Sequence, residues 1–137
     1  MAREGFGFST RLRVRYAEID GQNIVFNSRY LEYADVALNE YWRWLRLAEL
    51  PGWAGMEFRV ARAAVDFHAP FRYDDEIDCW VRTARVGTSS ITSRIELCPA
   101  ASGALHTAIE MVHVHVDLAT GKSQPVPAAI RQRMLPA

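Results

Sequence analysis

The sequence predicts an α+β fold in which one long helix is wrapped by a curved antiparallel sheet of about five strands. Three observations carry this. From residue 29 to about 49 the apolar residues cover far more than one face of a helix. Beyond Pro51-Gly52 the chain alternates apolar and polar residues in successive stretches. The links between the last of these are hairpin-short, as antiparallel neighbours allow and parallel ones do not.

Residues 8–16 alternate in polarity and read as a half-buried strand. A turn-rich piece, Glu18-Ile19-Asp20-Gly21-Gln22-Asn23, leads to Asn27-Ser28, either of which can cap a helix. In the helix, Arg29, Glu32, Asp35, Asn39, Arg43 and Arg46 recur at steps of three or four and form one narrow polar stripe. Tyr30, Leu31, Tyr33, Val36, Leu38, Tyr41, Trp42, Trp44, Leu45 and Leu47 fill the rest. So wide an apolar surface demands cover from a curved sheet or a neighbouring subunit. Four strands are expected next, at 58–68, 77–86, 89–99 and 104–118, and a short helix at 127–135. In the last strand the apolar parity changes between Ile109-containing and Val112-containing halves. Either both faces are covered or a bulge resets the register.

At 137 residues, with no Pro/Gly/Ser-rich divider, residues 1–137 are expected to form one domain. Half the residues are apolar and 23% charged, which suits a packed core and not a disordered chain. Sixteen Lys+Arg balance sixteen Asp+Glu, so a globally basic nucleic-acid face is not indicated. Two cysteines without a CxxC pair argue against a disulfide scaffold or a cysteine zinc site and for a reducing compartment. No apolar run approaches the roughly 20 residues that span a bilayer. The expectation is a soluble cytoplasmic protein with neither nucleic-acid nor membrane partners, and no cofactor.

The string Arg15-Tyr16-Ala17-Glu18-Ile19-Asp20-Gly21-Gln22-Asn23-Ile24-Val25-Phe26-Asn27-Ser28-Arg29-Tyr30-Leu31-Glu32-Tyr33 resembles the 4-hydroxybenzoyl-CoA thioesterase family of hotdog proteins. The matching features are a strand ending in an aromatic, an Asp, a short loop closing on an apolar pair, an Asn, and a Tyr that opens the long helix. Phe67-His68-Ala69-Pro70 with Asp74-Asp75-Glu76-Ile77, the segment Arg85-Val86-Gly87-Thr88-Ser89-Ser90, and His115-Val116-Asp117-Leu118 with its Gly121 turn extend the likeness over most of the chain. Two positions depart from it. Asn23 stands where many members carry Gly, and Asn tolerates positive φ well enough to keep the turn. Ile24 stands where some carry His, so the loop offers no imidazole.

The resemblance implies a hotdog fold, hydrolysis of an acyl-CoA, and a homodimer or homotetramer in which sheets pair edge to edge with active sites between subunits. It implies Asp20 as nucleophile or general base and the Asn27 amide as oxyanion donor, both at a helix N-terminus rich in unpaired N–H groups. Val25, Phe26 and Tyr30 are expected against the substrate, and Arg85, Thr88, Ser89 and Ser90 against the CoA phosphates or pantetheine. Arg62, Arg82 or Arg94 could add charge.

Taken alone, a loop Asp is a turn residue bonded to its own backbone. The flanking string is what favours a site. Glu18 and Glu40 are weaker acid candidates, the latter at the edge of the helix's polar stripe. His113 and His115 share a strand face but lack a third ligand, so no metal site is expected. His68 and His106 stand alone, and Cys79 has no nucleophile motif. Tyr33, Tyr41 and Trp44 read as helix core ahead of an acyl pocket. Two other activities are compatible with such a chain: an acyl-thioester hydratase or dehydratase, and a non-catalytic acyl-thioester binder.

Overall fold

The computed structural model describes residues 2–135; residues 1, 136 and 137 lie outside it. In chain order the elements are β1 (Ser9–Arg13), α1 (Arg29–Trp44), β2 (Glu57–Phe67), β3 (Glu76–Val86), β4 (Ser90–Pro99), β5 (Thr107–Val116) and α2 (Ala128–Met134). The strands make one five-stranded sheet in the order β1-β3-β4-β5-β2, antiparallel at every pairing. This is the α+β arrangement expected from the sequence.

Helix α1 buries Tyr30, Tyr33, Ala34, Ala37, Leu38 and Tyr41. They meet Ile77, Cys79, Val81, Ile95, Leu97 and Ile109 from the sheet in one core. The two alanines let the helix axis come close to the strands. Cys79 is wholly buried and its thiol is pushed well up by that burial, which suits packing and not nucleophilic attack.

The helix is shorter than the sequence suggested. It ends at Trp44, Arg46 turns left-handed at φ 60°, and a 3-10 turn covers Leu47–Glu49. The reason is a second core cluster of Leu47, Ile91, Val126, Ile130 and Met134. Redirecting the chain at Arg46 drops Leu47 into it, and Arg133 of α2 donates to the carbonyls freed at Leu45 and Arg46. Apolar periodicity alone cannot report such a break, because the residues on both sides are buried.

Two strands are also shorter than expected. β1 stops at Arg13 because Val14 exchanges hydrogen bonds with the Asp74-Asp75 turn, and Tyr16–Glu18 forms a 3-10 turn. β5 starts at Thr107, after Gly103 at φ 72°. The parity change in β5 has a simple origin. Thr107, Ile109, Met111 and His113 all point inward, so a histidine occupies a core position that hydropathy reads as polar. The bulge lies in its partner β2, between Val60 and Arg62. The outer face is covered in part by the N-terminal segment, where Arg3 bonds Glu96 at 2.7 Å and Phe6 lies 6.3 Å from Trp80.

The His113 ring sits among Trp42 and Phe58, and its Nδ1 has no partner among the described residues. Burial holds it below the ordinary imidazole value of 6.5, against a weaker upward pull from Asp35. The unfolded chain therefore takes up the proton first. Stability is expected to fall as pH drops from about 6.5 toward the lower folded value. A His113→Phe variant should flatten that part of a melting-temperature profile between pH 7.5 and 5, and an unchanged slope would contradict the assignment.

α1 packs over β3, β1 and β4. It covers the edge strand β2 only in part, through Trp42 against Phe58 and Tyr30 against Phe67, and leaves Val60 and Phe67 each 54% exposed. Leu31 and Val36 on the helix are likewise exposed. The helix is therefore covered on one side only within a single chain. Among the described residues no helix is long and apolar enough to cross a membrane.

Candidate active site

Between β1 and α1 the chain makes a tight loop whose bonds fix Asp20. Its amide donates to the Ile24 carbonyl at 2.9 Å, and its carbonyl accepts from the Asn23 amide at 3.0 Å. Its Oδ1 accepts from the Gln22 amide at 2.7 Å. Asn23 takes φ 62°, the left-handed conformation that Asn tolerates best after Gly. Asp20 is thus a turn residue, as its residue type alone favours, and the turn uses only one of its two carboxylate oxygens. Bridges of Ile19 with Val25 and of Ile24 with Arg72 stitch the loop to the segment after β2.

Glu18 is buried beneath this loop. It accepts from the Arg15 amide at 2.8 Å, from the Tyr33 hydroxyl at 2.8 Å and from the Arg15 guanidinium. Burial pushes its carboxyl up, and these hydrogen bonds outweigh burial and leave it below the usual carboxylate value. Burial and the neighbouring Glu18 carboxylate raise the Tyr33 hydroxyl, which stays a donor. Glu18 is therefore a strut joining the end of β1 to α1. Glu40 is paired with Arg43 on the surface.

The helix entrance is open. Ser28 is the N-cap without a side-chain cap bond, Arg29 donates to the Phe26 carbonyl, and the Asn27 amide makes no backbone hydrogen bond among the described residues. Beside it lies a cavity of about 350 Å³ lined by Asp20, Gln22, Ile24, Val25, Asn27 and Tyr30 from the loop and helix. Phe67, His68, Ala69 and Pro70 from the end of β2 close its other side. An acid with a spare oxygen and an unused N–H at a helix N-terminus thus share one apolar cleft. That pair can attack or activate water at a carbonyl carbon and hold the oxygen as charge develops.

Of the residues singled out from the sequence, Asp20, Val25, Asn27 and Tyr30 line this one cavity. Tyr30 is buried, its hydroxyl accepting from the Phe71 amide at 3.4 Å and its ring edge-on to Phe67. Phe26 is 45% exposed and does not line the cleft. Arg85, Thr88, Ser89 and Ser90 lie at the opposite end of the sheet. There Arg131 of α2 donates to the Val86 and Gly87 carbonyls, and Val126 to that of Thr88. Ten residues of β5 separate the two ends, roughly 30 Å at the rise of a strand. Arg62 is paired with Glu110 and Arg94 with Glu96, while Arg82 lies over the Phe6 ring.

His68 is the residue that sequence reasoning passed over. The His68 and Ala69 amides both donate to the His106 carbonyl, which turns the chain off β2 and sets His68 among the residues lining the cleft. The loop lacks a histidine of its own, and the cavity gains one from β2. The antiparallel register of β2 with β5, the Ile24–Arg72 bridge and the Val25 amide bond to the Phe71 carbonyl bring these distant segments together. His106 turns its ring to the Pro70 carbonyl, and His115 turns its ring to that of Pro125.

A curved antiparallel sheet around one helix, with an acid loop opening on the helix entrance, defines a hotdog-fold protein. Residues 14–134 match the family model described as the thioesterase-like superfamily, and the chain belongs to that superfamily. A thioesterase from Thermus thermophilus, solved with coenzyme A and zinc, is 30% identical over 96% of this chain and 94% of its own, with a TM-score of 0.81. A 1,4-dihydroxy-2-naphthoyl-CoA thioesterase from Synechocystis shares the fold at 19% identity, covering 93% and 94% of the two chains with a TM-score of 0.81. A thioesterase-superfamily protein from Jannaschia does so at 22%, covering 98% and 96% with a TM-score of 0.84. No curated protein sequence matches the chain.

Proposed function

We propose that the chain is a cytoplasmic acyl-CoA thioesterase of the 4-hydroxybenzoyl-CoA type, working as a single domain. It hydrolyses an acyl or aryl thioester to free acid and CoA without a cofactor. The observation that carries this is the pairing of the spare Asp20 carboxylate oxygen with the open Asn27 amide in one cleft. Asp20 acts on the carbonyl carbon, directly or through water, while the Asn27 N–H and the positive end of α1 stabilise the oxyanion. The coenzyme A bound by the Thermus relative supports a CoA thioester over other thioesters.

The working unit in this reading is a homodimer, or a homotetramer built from it, joined through β2. β2 is an edge strand that carries exposed Val60 and Phe67. Pairing two copies antiparallel there covers that surface. It also sets the Phe67 end of one β2 beside the Glu57 end of the other. The sheet end that carries Arg85, Thr88, Ser89 and Ser90 in one copy then approaches the Asp20 cleft of its mate, where those groups can meet CoA. A Val60→Asp substitution puts a charge into that seam. Sedimentation should show it shifting the oligomer toward monomer, with activity falling in step; a fully active monomer would contradict the interface.

His68 in the cleft favours one second reading, hydration or dehydration of an acyl thioester, since that chemistry uses an imidazole with an acid. Product analysis on an enoyl-CoA separates the two. Hydrolysis releases free thiol and enoic acid; hydration gives a hydroxyacyl-CoA with the thioester intact, and that product would overturn the hydrolase reading.

A further inference from the structure

The cleft contains three titratable side chains, Asp20, Tyr30 and His68. Two of them are already committed. Asp20 is assigned to the carbonyl carbon. The Tyr30 hydroxyl is held above its ordinary value by burial, more than the hydrogen bond from the Phe71 amide lowers it, and its ring is locked against Phe67 and Phe71. His68 differs from both. The residue is exposed, it lines the cleft, and its backbone is pinned by the bond to the His106 carbonyl at 2.8 Å. An imidazole can both give and take a proton through its ring nitrogens. It lies across the cleft from the loop and helix entrance, on the side supplied by β2.

We propose that His68 is the general acid that protonates the leaving thiolate. The inference rests on the hydrolase reading. In the step, water or the Asp20 carboxylate forms a bond to the acyl carbon, and the carbonyl π pair moves to the oxygen held by the Asn27 N–H. When the intermediate collapses, that pair re-forms the carbonyl and the carbon–sulphur bond breaks with its electrons on sulphur. The His68 imidazolium gives its proton to that sulphur and becomes neutral imidazole. If Asp20 served as base, its carboxyl holds the proton taken from water and can return it to the imidazole. If Asp20 served as nucleophile, water then hydrolyses the anhydride, its proton leaves with the released acid, and the imidazole regains its proton from solvent. The sulphur step is the same on either route. Among the described residues, the other titratable groups lining the cleft are Asp20 from the loop and Tyr30 on α1, and the His106 ring is turned to the Pro70 carbonyl.

The need for an acid depends on the leaving group. An alkyl thiol such as the cysteamine end of CoA is a weak acid and departs more readily with a proton, whereas an aryl thiol leaves without help. The test uses two thioesters of one acyl group, the N-acetylcysteamine ester and the thiophenyl ester, with wild type, His68→Gln and Asp20→Asn. His68→Gln should lose about 10²-fold in kcat on the alkyl thioester and stay within about 3-fold of wild type on the aryl one. Equal impairment on both esters, or on neither, would overturn the proposal, because a structural role does not sense the leaving group. Asp20→Asn should be inactive on both. An active Asp20→Asn beside the leaving-group split in His68→Gln would sink the Asp20 assignment and leave His68 standing; a wild type that hydrolyses neither ester overturns both.

Discussion

Asp20→Asn is expected to lower kcat by about 10³-fold or more, roughly 4 kcal/mol of barrier, while stability moves by less than about 0.5 kcal/mol. The separation follows from how the carboxylate is used. The turn depends on Oδ1, which accepts the Gln22 amide, and on the Asp20 backbone bonds to Ile24 and Asn23. An asparagine retains all of these, because its carbonyl oxygen replaces Oδ1 and the backbone is untouched. What it loses is the anionic oxygen left over for attack or proton abstraction. Since no step before chemistry needs that oxygen, KM should change little. Steady-state thiol release and a urea titration on the same preparation measure both halves. A variant that keeps more than a tenth of the wild-type kcat would remove Asp20 from the mechanism. One that loses activity together with its fold would assign Asp20 to the turn alone.

Glu18→Ala should cost about 2–4 kcal/mol of stability, read by urea unfolding, and reduce activity as well. The magnitude comes from two of its bonds and not the third. The Arg15 guanidinium is largely exposed, and an ion pair of that kind contributes about 0–1 kcal/mol. The Tyr33 hydroxyl and the Arg15 amide are the larger part, since each loses its acceptor, the hydroxyl in a buried position. Activity follows because the Glu18 carbonyl accepts the Phe26 amide, the last fixed point before the Asn27 N–H. Glu18→Gln keeps an oxygen for one donor and should fall between the two. In wild type the same contribution is present above the ordinary carboxylate value of 4.5 and is lost as pH falls through the lower folded value. Acid unfolding of Glu18→Ala should therefore be shallower below pH 4.5 than that of wild type. An alanine variant as stable as wild type would show that the strut is dispensable.

How much of this could be read from the chain follows from the range of the interactions. The loop, Asp20, Asn27 and the helix entrance lie within one contiguous string whose turn bonds are local, so the string as a whole could carry the resemblance that pointed to them. The antiparallel order of β3, β4 and β5 is legible for the same reason, since short turns join them. The end of α1 was not, because Arg46 breaks the helix to satisfy a cluster assembled from Ile91, Val126 and Ile130. His113 misled the reading of β5, since a buried imidazole breaks the apolar alternation without breaking the strand. His68 looked like an isolated histidine, and no local signal could change that. Its place in the cleft depends on the β2–β5 register and on the bridge between Ile24 and Arg72. The Arg85, Thr88, Ser89 and Ser90 assignment is the mirror case. The resemblance pointed to these residues, and within one chain they lie a sheet's length from Asp20.

The most direct test of the central claim is a thiol-release assay of the purified wild-type protein over short-chain, long-chain and aromatic acyl-CoAs, with free acid quantified alongside. Catalytic release of thiol and acid in equal amounts from at least one of them is the predicted result. Acyl-CoAs that raise the melting temperature yet yield no free thiol across the whole panel would contradict it, and would leave a protein that binds thioesters without cleaving them.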